Sequence, residues 1–274
     1  GANLYFLLTD RFNNGDSSND INYNRNKETG KLRGFMGGDV KGITQKIEEG
    51  YFDQLGINAI WMTPLVEQIH EGTDEGTGYS YGFHGYWTKD WTAFDPNFGT
   101  AEEVKNMVEK AHQHGIRIVF DGVINHTGPV TPQDAVWPEN WVRTTPACDY
   151  KNYKNTTACT LVTNLPDILT ESEQNVELPA ALIEKWKKEG RYEQEVKELD
   201  AFFARTGYPR APKYYIIKWL TDYITEYGID GYRADTTKHL EEGVWAEFKK
   251  QCEYTFTDWK KNNPGKVLDN NAFY

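Results

Sequence analysis

Residues 228–239 read Gly-Ile-Asp-Gly-Tyr-Arg-Ala-Asp-Thr-Thr-Lys-His and directly follow an amphipathic run, Tyr214 to Tyr227. Apolar side chains recur in that run at helical spacing, and Gly228 is well placed to end the predicted helix in a left-handed conformation. A short strand is therefore expected to follow the helix. Because alternate side chains of a strand share a face, Arg233 and Asp235 are expected to project to the same side.

Four ionisable groups lie at the predicted C-terminal end of this strand: Arg233, Asp235, Lys238 and His239. A guanidinium beside a carboxylate keeps the carboxylate ionised at neutral pH, which a nucleophile or a charge-stabilising group requires. In parallel α/β barrels the chemistry is carried at the C-terminal ends of the strands. An isolated Arg-x-Asp pattern is more often a structural ion pair, so its meaning depends on the rest of the chain.

The rest of the chain alternates predicted strands with predicted helices, which favours an α/β fold with a parallel sheet. Strands are predicted at Leu4–Leu8, Ile57–Met62 and Ile116–Phe120, with the start of another at Ala272, and helices are predicted at Thr44–Leu55, Ala101–His114 and Glu242–Asn262. The continuous apolar run of the first strand is typical of a strand buried on both faces. Thr100 and Glu103 have the spacing of a capping box, which predicts the start of the second helix.

Polar and aromatic residues follow the second and third predicted strands. The third strand ends in the polar sequence Asp121-Gly122-Val123-Ile124-Asn125-His126. The segment Glu67–Asp95 is a long predicted loop rich in aromatic residues, among them the sequence His84-Gly85-Tyr86-Trp87. Long loops in compact domains are usually functional or disordered, and one so aromatic is not expected to be disordered. The alternative is a lid that packs on the rim of the barrel.

The alternation of strands and helices stops after the third predicted strand. The next segment is first rich in Pro, Thr and Asn and then carries two charged helical patterns, Leu178–Glu189 and Tyr192–Thr206. It is too long for an ordinary connection between a strand and a helix. We therefore predict an inserted subdomain, residues 127–211, between a first barrel part, residues 1–126, and a second barrel part, residues 212–274.

The composition excludes some partners and suits others. The formal net charge of −11 argues against nucleic acid and anionic membranes as partners. Aromatic residues make up 14% of the chain, and their flat rings suit the apolar faces of sugars, although a well-packed core explains the same composition. No apolar run reaches transmembrane length, and the chain opens directly on an apolar strand without a signal peptide, so any targeting segment is expected outside these residues.

The three cysteines leave the redox compartment open. Cys148 and Cys159 flank a polar segment and are able to close a small loop, which would imply an oxidising compartment. Two free thiols fit the sequence equally well. Cys252 lies on a helical pattern and is expected to be a buried thiol.

The strand-end motifs resemble those of the α-amylase family of glycoside hydrolases, and the resemblance runs from the first strand to the last residue. It implies a (β/α)8 TIM barrel, of which the chain would hold about the first four βα units and the inserted subdomain. In the fourth-strand motif, Asp235 stands at the position of the family's nucleophile and Arg233 at that of its supporting arginine. Lys238 and His239 stand at positions that hold the sugar on the leaving-group side.

The other two motifs imply further contacts with the sugar at the cleavage point. His84 and Tyr86 match a histidine that contacts this sugar and a tyrosine that stacks on it, and Trp87 would lie nearby. Asp121 matches a structural aspartate of the third-strand motif. His126, at the end of the same motif, matches a histidine that hydrogen-bonds the sugar.

The same resemblance implies Ca2+ at one or two sites, since calcium takes carboxylate, amide and carbonyl oxygens. One site would be formed by Asn125, Asp167 and the backbone carbonyl of His239. The other lies in the loop after the first strand and resembles a site of cyclodextrin glycosyltransferases. Its ligands would be Asn14, Asp16, Asn19, Asp20, the backbone carbonyl of Gly37, and Asp39. Without the resemblance, this loop reads as an ordinary turn, because Asn, Asp, Gly and Ser dominate turns.

The mechanism implied by the resemblance is a two-step displacement. One carboxylate attacks the anomeric carbon, while a second carboxylic acid, roughly 5 Å away, protonates the leaving oxygen. The resemblance assigns that acid to the end of the fifth strand, beyond Tyr274, and a third carboxylate to the seventh strand. We therefore expect the chain to be part of a longer enzyme, to pair with the remainder of the same polypeptide, and to be inactive alone.

The resemblance implies an extracellular, periplasmic or cell-surface hydrolase of starch-like α-glucans. It would cleave α-1,4-glucosidic bonds through a covalent glycosyl intermediate on Asp235. An α-glucan transglycosylase or an α-glucosidase of the same family is an alternative. A non-catalytic glucan-binding barrel is another, but a binding protein has no need of an ionised carboxylate beneath the sugar.

Overall fold

The secondary structure of the computed structural model, which describes residues 1–274, follows the predicted alternation. The strands are, in chain order, β1 (Leu4–Leu7), β2 (Ala59–Met62), β3 (Val66–Gln68), β4 (Thr73–Asp74), β5 (Tyr79–Ser80), β6 (Thr88–Phe94), β7 (Arg117–Gly122), β8 (Val142–Arg143), β9 (Asp167–Ile168) and β10 (Gly231–Ala234). The helices are α1 (Thr9–Phe12), α2 (Val40–Glu48), α3 (Tyr51–Gln54), α4 (Ala101–Gln113), α5 (Lys154–Thr157), α6 (Ala180–Lys188), α7 (Tyr192–Thr206), α8 (Pro212–Tyr227) and α9 (Glu242–Asn262).

Four strands form the central sheet in the order β1-β2-β7-β10, and each adjacent pair is parallel. Parallel neighbours require long crossover connections, and here the connections carry α2, α4 and α8. Helix α2 packs on α4, and α8 packs on α9. The predicted α/β fold with a parallel sheet is confirmed. All the strands run in one direction, so their C-terminal ends meet at one edge of the sheet.

The core lies between this sheet and the helices. It contains a cluster of 44 buried apolar residues, with members such as Ile43 of α2, Met107 of α4, Ile217 of α8 and Phe248 of α9. Burial of apolar surface on this scale is the main favourable contribution to folding. The amphipathic spacing of the helices in the sequence is therefore explained by one shared core.

The helix ends follow the predicted local signals. The Thr100 side chain accepts a hydrogen bond from the Glu103 N–H, and the Glu103 side chain accepts one from the Thr100 N–H, so the capping box of α4 is confirmed. Gly228 ends α8 with a φ of 66°, a left-handed conformation that suits glycine. The predicted bounds of α7 and α9 are also confirmed.

The first predicted helix, Thr44–Leu55, is wrong as a single continuous helix. Helix α2 begins earlier, at Val40, because the Asp39 carboxylate accepts a hydrogen bond from the Gly42 N–H and caps its N-terminus. The chain then turns at Gly50, whose φ is 75°, before the short helix α3. A left-handed residue ends an α-helix, so the apolar spacing continues across two separate helices.

The prediction that the first strand is buried on both faces is wrong. Leu4 and Phe6 are 51% and 49% exposed, whereas Leu7 is 3% exposed. Strand β1 lies at the edge of the sheet, and its Tyr5 and Leu7 pack into the core with the helices. The alternate residues Leu4 and Phe6 therefore lie on the opposite face of the sheet, where Phe6 contacts Trp61 of β2.

The segment Glu67–Asp95 is not the continuous loop that the sequence predicted. It contains two antiparallel pairs, β3 with β6 and β4 with β5. The pairing of β3 with β6 is irregular, with register shifts on both sides of Glu67. Strands β3, β4 and β5 have only two or three residues, and β6, TKDWTAF, does not alternate strictly between apolar and polar residues, so the pattern did not predict them.

Residues 127–211 lie between β7 and α8 and carry β8, β9, α5, α6 and α7. Cys148 and Cys159 form a disulfide, one of the two alternatives that the sequence left open. Cys252 is a buried free thiol, as expected. A strand was predicted from Ala272, and none is assigned there. Tyr274 nevertheless makes two backbone hydrogen bonds to β10 and its flank, with Asp230 and Tyr232, both of 3.0 Å. No helix of the structure combines the length and the apolar character that crossing a membrane requires.

Candidate active site

Strands β7 and β10 bring Arg233, Asp235 and Asp121 together at the C-terminal edge of the sheet. Arg233 pairs with Asp121 in the strand register, so the two side chains are neighbours on the same face. The Arg233 Nη1 donates to Asp235 Oδ1 at 2.6 Å and lies 3.2 Å from both oxygens of Asp121. One guanidinium nitrogen is therefore shared between two carboxylates.

Asp121 connects this ion pair to the aromatic residues of the site. Its Oδ2 accepts hydrogen bonds from the Tyr86 hydroxyl at 2.9 Å and from the Trp61 indole N–H at 3.0 Å. Burial raises the pKa of Asp121 to about 6, although Arg233, Tyr86 and Trp61 all act to lower it. Burial and the nearby Asp121 carboxylate raise the pKa of the Tyr86 hydroxyl, so this hydroxyl stays a hydrogen-bond donor.

Asp235 lies where the chain turns sharply out of β10. Its N–H donates to the Gly122 carbonyl at 3.0 Å, which extends the pairing with β7. The next residue, Thr236, has a φ of 48° and a ψ of 40°. A left-handed conformation costs a β-branched residue about 1–2 kcal/mol. Such strain is common at active sites, and here the turn leaves Asp235 at the end of the strand.

Four of the residues assigned to sugar contacts form one cluster. The Tyr86 N–H donates to His84 Nδ1 at 3.0 Å, and His126 Nε2 donates to the Tyr86 carbonyl at 3.1 Å. His84 also contacts the Trp87 ring edge to face, with centroids 4.8 Å apart. Burial lowers the pKa of His84 to about 4 and also lowers that of His126, while the nearby Asp235 carboxylate acts to raise the latter. The imidazoles are therefore neutral hydrogen-bonding groups at neutral pH.

The disulfide loop contacts the residues assigned to the leaving-group side. His239 Nδ1 donates to the Thr156 carbonyl at 2.8 Å, and the Lys238 ammonium lies 5.2 Å from the centroid of the Tyr150 ring. Tyr150 also contacts the His239 ring edge to face. Lys238 and His239 lie in the short turn that directly follows Thr236. They are therefore adjacent to Asp235 along the chain and supported by the segment between β8 and β9.

The first predicted calcium site contains an oxygen that the protein leaves unpaired. Asp167 Oδ2 accepts a hydrogen bond from Arg143 Nε at 2.8 Å, but Asp167 Oδ1 is buried and has no partner. Asn125 is adjacent, because its carbonyl accepts the N–H of Ile168. Burial raises the pKa of Asp167 to about 8. An unpaired buried carboxylate oxygen beside an asparagine fits a hard cation, although the Arg143 guanidinium already occupies one side.

The predicted ligands of the second calcium site form hydrogen bonds with one another and with neighbouring backbone N–H groups. Asp39 accepts four of them, from the N–H groups of Gly15, Asp16 and Gly42 and from the Asn19 amide. The Asn14 amide donates to Asp20, and both side chains lie against Gly37. Asn19 Oδ1 is buried without a partner. The predicted ligands therefore converge, and one free amide oxygen fits a cation, but most of their other oxygens already have protein donors.

A further acidic cluster lies outside the predicted sites. Glu195, Glu198 and Asp222 have the mutual spacing of metal ligands. Lys218 binds both Glu198 and Asp222, and Arg191 binds Glu195. These carboxylates are thus paired with cations of the protein.

Sequence reasoning missed two residues of the site, Trp61 and Thr236. Trp61 lies in the predicted second strand, but its contact with Asp121 depends on the register between β2 and β7, which the sequence alone does not specify. Thr236 shows no sequence signal, because threonine is uncommon in a left-handed conformation. Glycine or asparagine at that position would have predicted the turn.

Comparisons with known proteins agree on one family. The family described as alpha amylase, catalytic domain, matches residues 6–267. The periplasmic alpha-amylase of Escherichia coli (strain K12) is 34% identical over 328 aligned positions, covering 100% of this chain and 46% of that protein. A cyclomaltodextrin glucanotransferase of Bacillus sp. (strain 38-2) is 35% identical over 138 positions, covering 50% of this chain and 19% of that protein.

A solved structure shows the same fold. The alpha-amylase of Geobacillus thermoleovorans, determined in complex with acarbose, superimposes with a TM-score of 0.63 at 27% identity. The superposition covers 94% of this chain and 45% of the other. The chain thus spans less than half the length of the proteins compared here.

Proposed function

The chain belongs to the alpha-amylase catalytic-domain family, whose fold is a (β/α)8 barrel, and on that premise we propose that it carries the nucleophile of a retaining α-glucan hydrolase. The substrate would be a starch-like glucan with α-1,4 bonds. The observation that carries the proposal is the arrangement around Asp235. Asp235 is buried, its carboxylate is bonded to Arg233 at the C-terminal edge of a parallel sheet, and it is adjacent to the cluster that holds Tyr86 and His126.

The chemistry follows from an ionised, oriented carboxylate. Asp235 Oδ attacks the anomeric carbon while the glycosidic C–O bond breaks and the leaving oxygen takes a proton from a second carboxylic acid. Water then attacks the glycosyl ester, gives its proton to that second group, and releases Asp235. Arg233 stabilises the negative charge that Asp235 carries before the attack and regains at the end.

The carboxylates of this site do not include a free proton donor. The oxygens of Asp121 accept hydrogen bonds from Arg233, Tyr86 and Trp61. Asp121 therefore supports the nucleophile and is not free to protonate a leaving group. We assign the proton donor and a further carboxylate to polypeptide that follows Tyr274. The greater length of the relatives supports this assignment, since the chain spans 46% of the Escherichia coli protein. On this proposal the chain comprises about four βα units of the barrel and is inactive without the remainder.

The sugar at the cleavage point would be bound by His84, Tyr86, Trp87 and His126, and the leaving-group side by Lys238 and His239. The neutral His126 would donate a hydrogen bond to a sugar hydroxyl, and the Tyr86 ring would stack on the sugar face. Tyr86 is suited to this role because its hydroxyl is anchored on Asp121 at 2.9 Å, which fixes the ring.

The domain division and the calcium sites remain part of the proposal. Residues 127–211 would form the inserted subdomain between barrel residues 1–126 and 212–274. Members of the family commonly bind Ca2+. Here Asn125, Asp167 and the His239 carbonyl would hold one ion, and the loop ligands from Asn14 to Asp39 a second. An ion at the first site would supply positive charge to the unpaired Asp167 oxygen and tie the insertion to the Lys238–His239 turn.

We also propose an oxidising location outside the cytoplasm. The disulfide between Cys148 and Cys159 supports it, because disulfides persist in secreted and periplasmic proteins and are rare in the cytosol. The Escherichia coli relative is described as periplasmic. The segment between these cysteines contacts Lys238 and His239, so the disulfide would also support the site.

The test is the substitution Asp235→Asn in the complete protein, assayed on soluble starch and maltoheptaose. Loss of the nucleophile should lower kcat by at least about 10⁴-fold while binding of maltoheptaose, measured by calorimetry, persists. Asp222→Asn is the matched control, because Asp222 is also ion-paired but lies on α8 away from the site. Starch cleavage that survives Asp235→Asn would refute the proposal, and so would a wild-type protein that binds glucan without cleaving it.

The glucanotransferase match favours a second candidate, transfer of the glycosyl group to another sugar instead of water. The same intermediate on Asp235 serves both reactions, so product analysis separates them. Linear maltooligosaccharides would indicate hydrolysis, and cyclic or elongated glucans would indicate transfer.

A further inference from the structure

Trp61 contacts both partners of the ion pair that supports the nucleophile. It lies in β2, and its indole N–H donates to Asp121 Oδ2 at 3.0 Å. The Arg233 guanidinium carbon lies 5.1 Å from the centroid of its ring. The ring also packs against Phe6, with centroids 4.2 Å apart. The indole is thus wedged between the edge strand and the charged groups of β7 and β10.

We propose that Trp61 is a positioning residue that sets how Arg233 is divided between Asp121 and Asp235. This inference rests on the proposed role of Asp235 as the nucleophile. Trp61 does not touch the reacting atoms. Its effect would pass through Arg233 and Asp121.

The way in which Arg233 shares its hydrogen bonds between the two carboxylates is unusual. Arginine commonly binds a carboxylate through two parallel N–H···O bonds, yet Arg233 Nη1 alone faces both Asp121 oxygens at 3.2 Å and Asp235 at 2.6 Å. A small rotation of the guanidinium towards Asp121 would form a two-nitrogen pair and leave Asp235 without its cation. Something must therefore oppose this rotation.

Trp61 opposes the rotation in two ways. Its N–H, together with the Tyr86 hydroxyl, occupies Asp121 Oδ2 and competes with a second guanidinium nitrogen. Its ring lies against the guanidinium, and such cation–π contacts are attractive. Removing the indole N–H removes the first effect, and removing the ring removes both.

The chain contains a matched control for this arrangement. Trp186 of α6 also donates one indole hydrogen bond, to Thr92 Oγ1 at 3.0 Å, and Arg191 lies over its ring at 5.8 Å. Trp186 is fully buried and lies in the segment between β7 and α8, away from Asp235. Substitution of Trp186 therefore removes the same kinds of contact without touching the nucleophile.

The experiment compares Trp61→Phe and Trp61→Leu with Trp186→Phe and Trp186→Leu in the complete protein. Phenylalanine keeps a flat ring and loses the N–H, whereas leucine loses both. We expect kcat on maltoheptaose to fall about 10-fold in W61F and about 30- to 100-fold in W61L, with KM changed less than about twofold, which corresponds to the loss of one and then two contacts. The Trp186 variants should lose thermal stability but keep kcat.

The pH profile gives a readout that a merely structural role would not move. The groups that face Asp121 are Arg233, Asp235, Tyr86 and Trp61, and the indole hydrogen bond acts to lower the pKa of Asp121. The acidic limb of kcat/KM should therefore move to higher pH in W61F and not in W186F. Wild-type kcat and an unmoved acidic limb in W61F would overturn the role of Trp61. If W61L does not fold, W61F alone decides.

The outcomes separate this inference from the proposed function. A wild-type protein that cleaves starch, together with Trp61 variants that cleave it equally well, refutes only the positioning role. An Asp235→Asn protein that retains starch cleavage refutes the proposed function and with it the basis of this inference.

Discussion

Asp121 and Asp167 are both buried carboxylates near the ends of strands, 6% and 1% exposed, but the protein satisfies them differently. Asp121 accepts from Arg233, Tyr86 and Trp61, and burial raises its pKa to about 6. Asp167 accepts from Arg143 and Glu171 competes for that arginine, so one Asp167 oxygen stays unpaired and its pKa is raised to about 8. Burial alone does not distinguish them. The number of donors does.

The protein satisfies both oxygens of Asp121 with its own hydrogen-bond donors, but it leaves one oxygen of Asp167 without a donor. We call the network around Asp121 closed, because both carboxylate oxygens have protein donors, and this network orients Arg233 and Tyr86. The network around Asp167 is open, because one oxygen has no donor. An unpaired carboxylate oxygen in a buried position costs stability unless a cation or a proton satisfies it.

The largest effect is expected for Asp121→Asn. The asparagine keeps an oxygen for Tyr86 and Trp61 but removes the charge that holds Arg233, so Arg233 should turn fully to Asp235 and lose its orientation. Because the Arg233 side chain is 36% exposed, we expect a moderate cost of about 2–3 kcal/mol in the transition state, or about 100-fold in kcat. Steady-state kinetics on maltoheptaose measures it. Asp53→Asn, at a surface pair with His114, is the control and should keep full activity.

If the kcat of Asp121→Asn lies within about threefold of the wild-type value, Asp121 is not needed to orient Arg233. That result would mean that Arg233 is oriented by its other contacts. Trp61→Phe would then be expected to show no effect either, since it removes only the hydrogen bond to the same carboxylate. Trp61→Leu would still remove the contact of the ring with Arg233.

Calcium should produce the next largest effect, and it should act through Asp167. A ligand that binds only the folded state at 100 times its Kd stabilises by about 2.7 kcal/mol. The Tm shift for a given stabilisation falls as chain length grows, so we expect an increase of roughly 2–4 °C in the complete protein. Scanning calorimetry of the complete protein with excess Ca2+ and with a chelator measures the difference. Asp167→Asn should abolish most of this difference, whereas Asp53→Asn should keep it.

Without calcium, the stability of the folded protein should fall as the pH rises. In the absence of calcium, the raised pKa of Asp167 means that the folded state holds a proton which the unfolded state has lost, so this contribution to stability disappears as pH rises towards 8. The chelated wild type should therefore lose Tm between pH 6 and 8 relative to Asp167→Asn. A chelated protein with equal Tm at both pH values would indicate that the Asp167 oxygen is satisfied by another group.

Local sequence signals predicted much of the fold but not these networks. The bounds of α7 and α9, the capping box at Thr100 and the glycine at the end of α8 depend on neighbouring residues, and the structure confirms them. The contacts of Asp121 with Trp61 and of Asp167 with Arg143 join residues 60 and 24 positions apart. They depend on strand register and on very short strands, for which the sequence carries no periodic signal.

The site itself was partly predictable for a related reason. Arg233 and Asp235 lie two residues apart on one strand, so alternation alone predicts that they share a face, and the structure brings them together. The exposed face of β1 at the edge of this four-stranded sheet and the division of the first predicted helix were not predictable. Both depend on which neighbours cover a strand and on how Gly50 turns the chain, and apolar spacing contains neither.

The smallest effect is expected for Tyr86→Phe, which tests the closed network by removing one donor. Phenylalanine keeps the ring for stacking but loses the hydroxyl that donates to Asp121 at 2.9 Å. This hydrogen bond acts to lower the pKa of Asp121, so its loss should raise that pKa above about 6. Protonated Asp121 no longer holds Arg233 by charge, and the acidic limb of kcat/KM should therefore move to higher pH.

Activity of Tyr86→Phe should then be a few-fold below the wild type at pH 6 and nearly equal to it at pH 8, since one hydrogen bond contributes about 1 kcal/mol. Tyr227→Phe, on α8 away from the site, is the control and should leave the limb unmoved. A uniform loss at both pH values would mean that the Tyr86 hydroxyl acts on the sugar directly and not through Asp121. The hydrogen bond from Tyr86 to Asp121 would then contribute nothing to the orientation of Arg233.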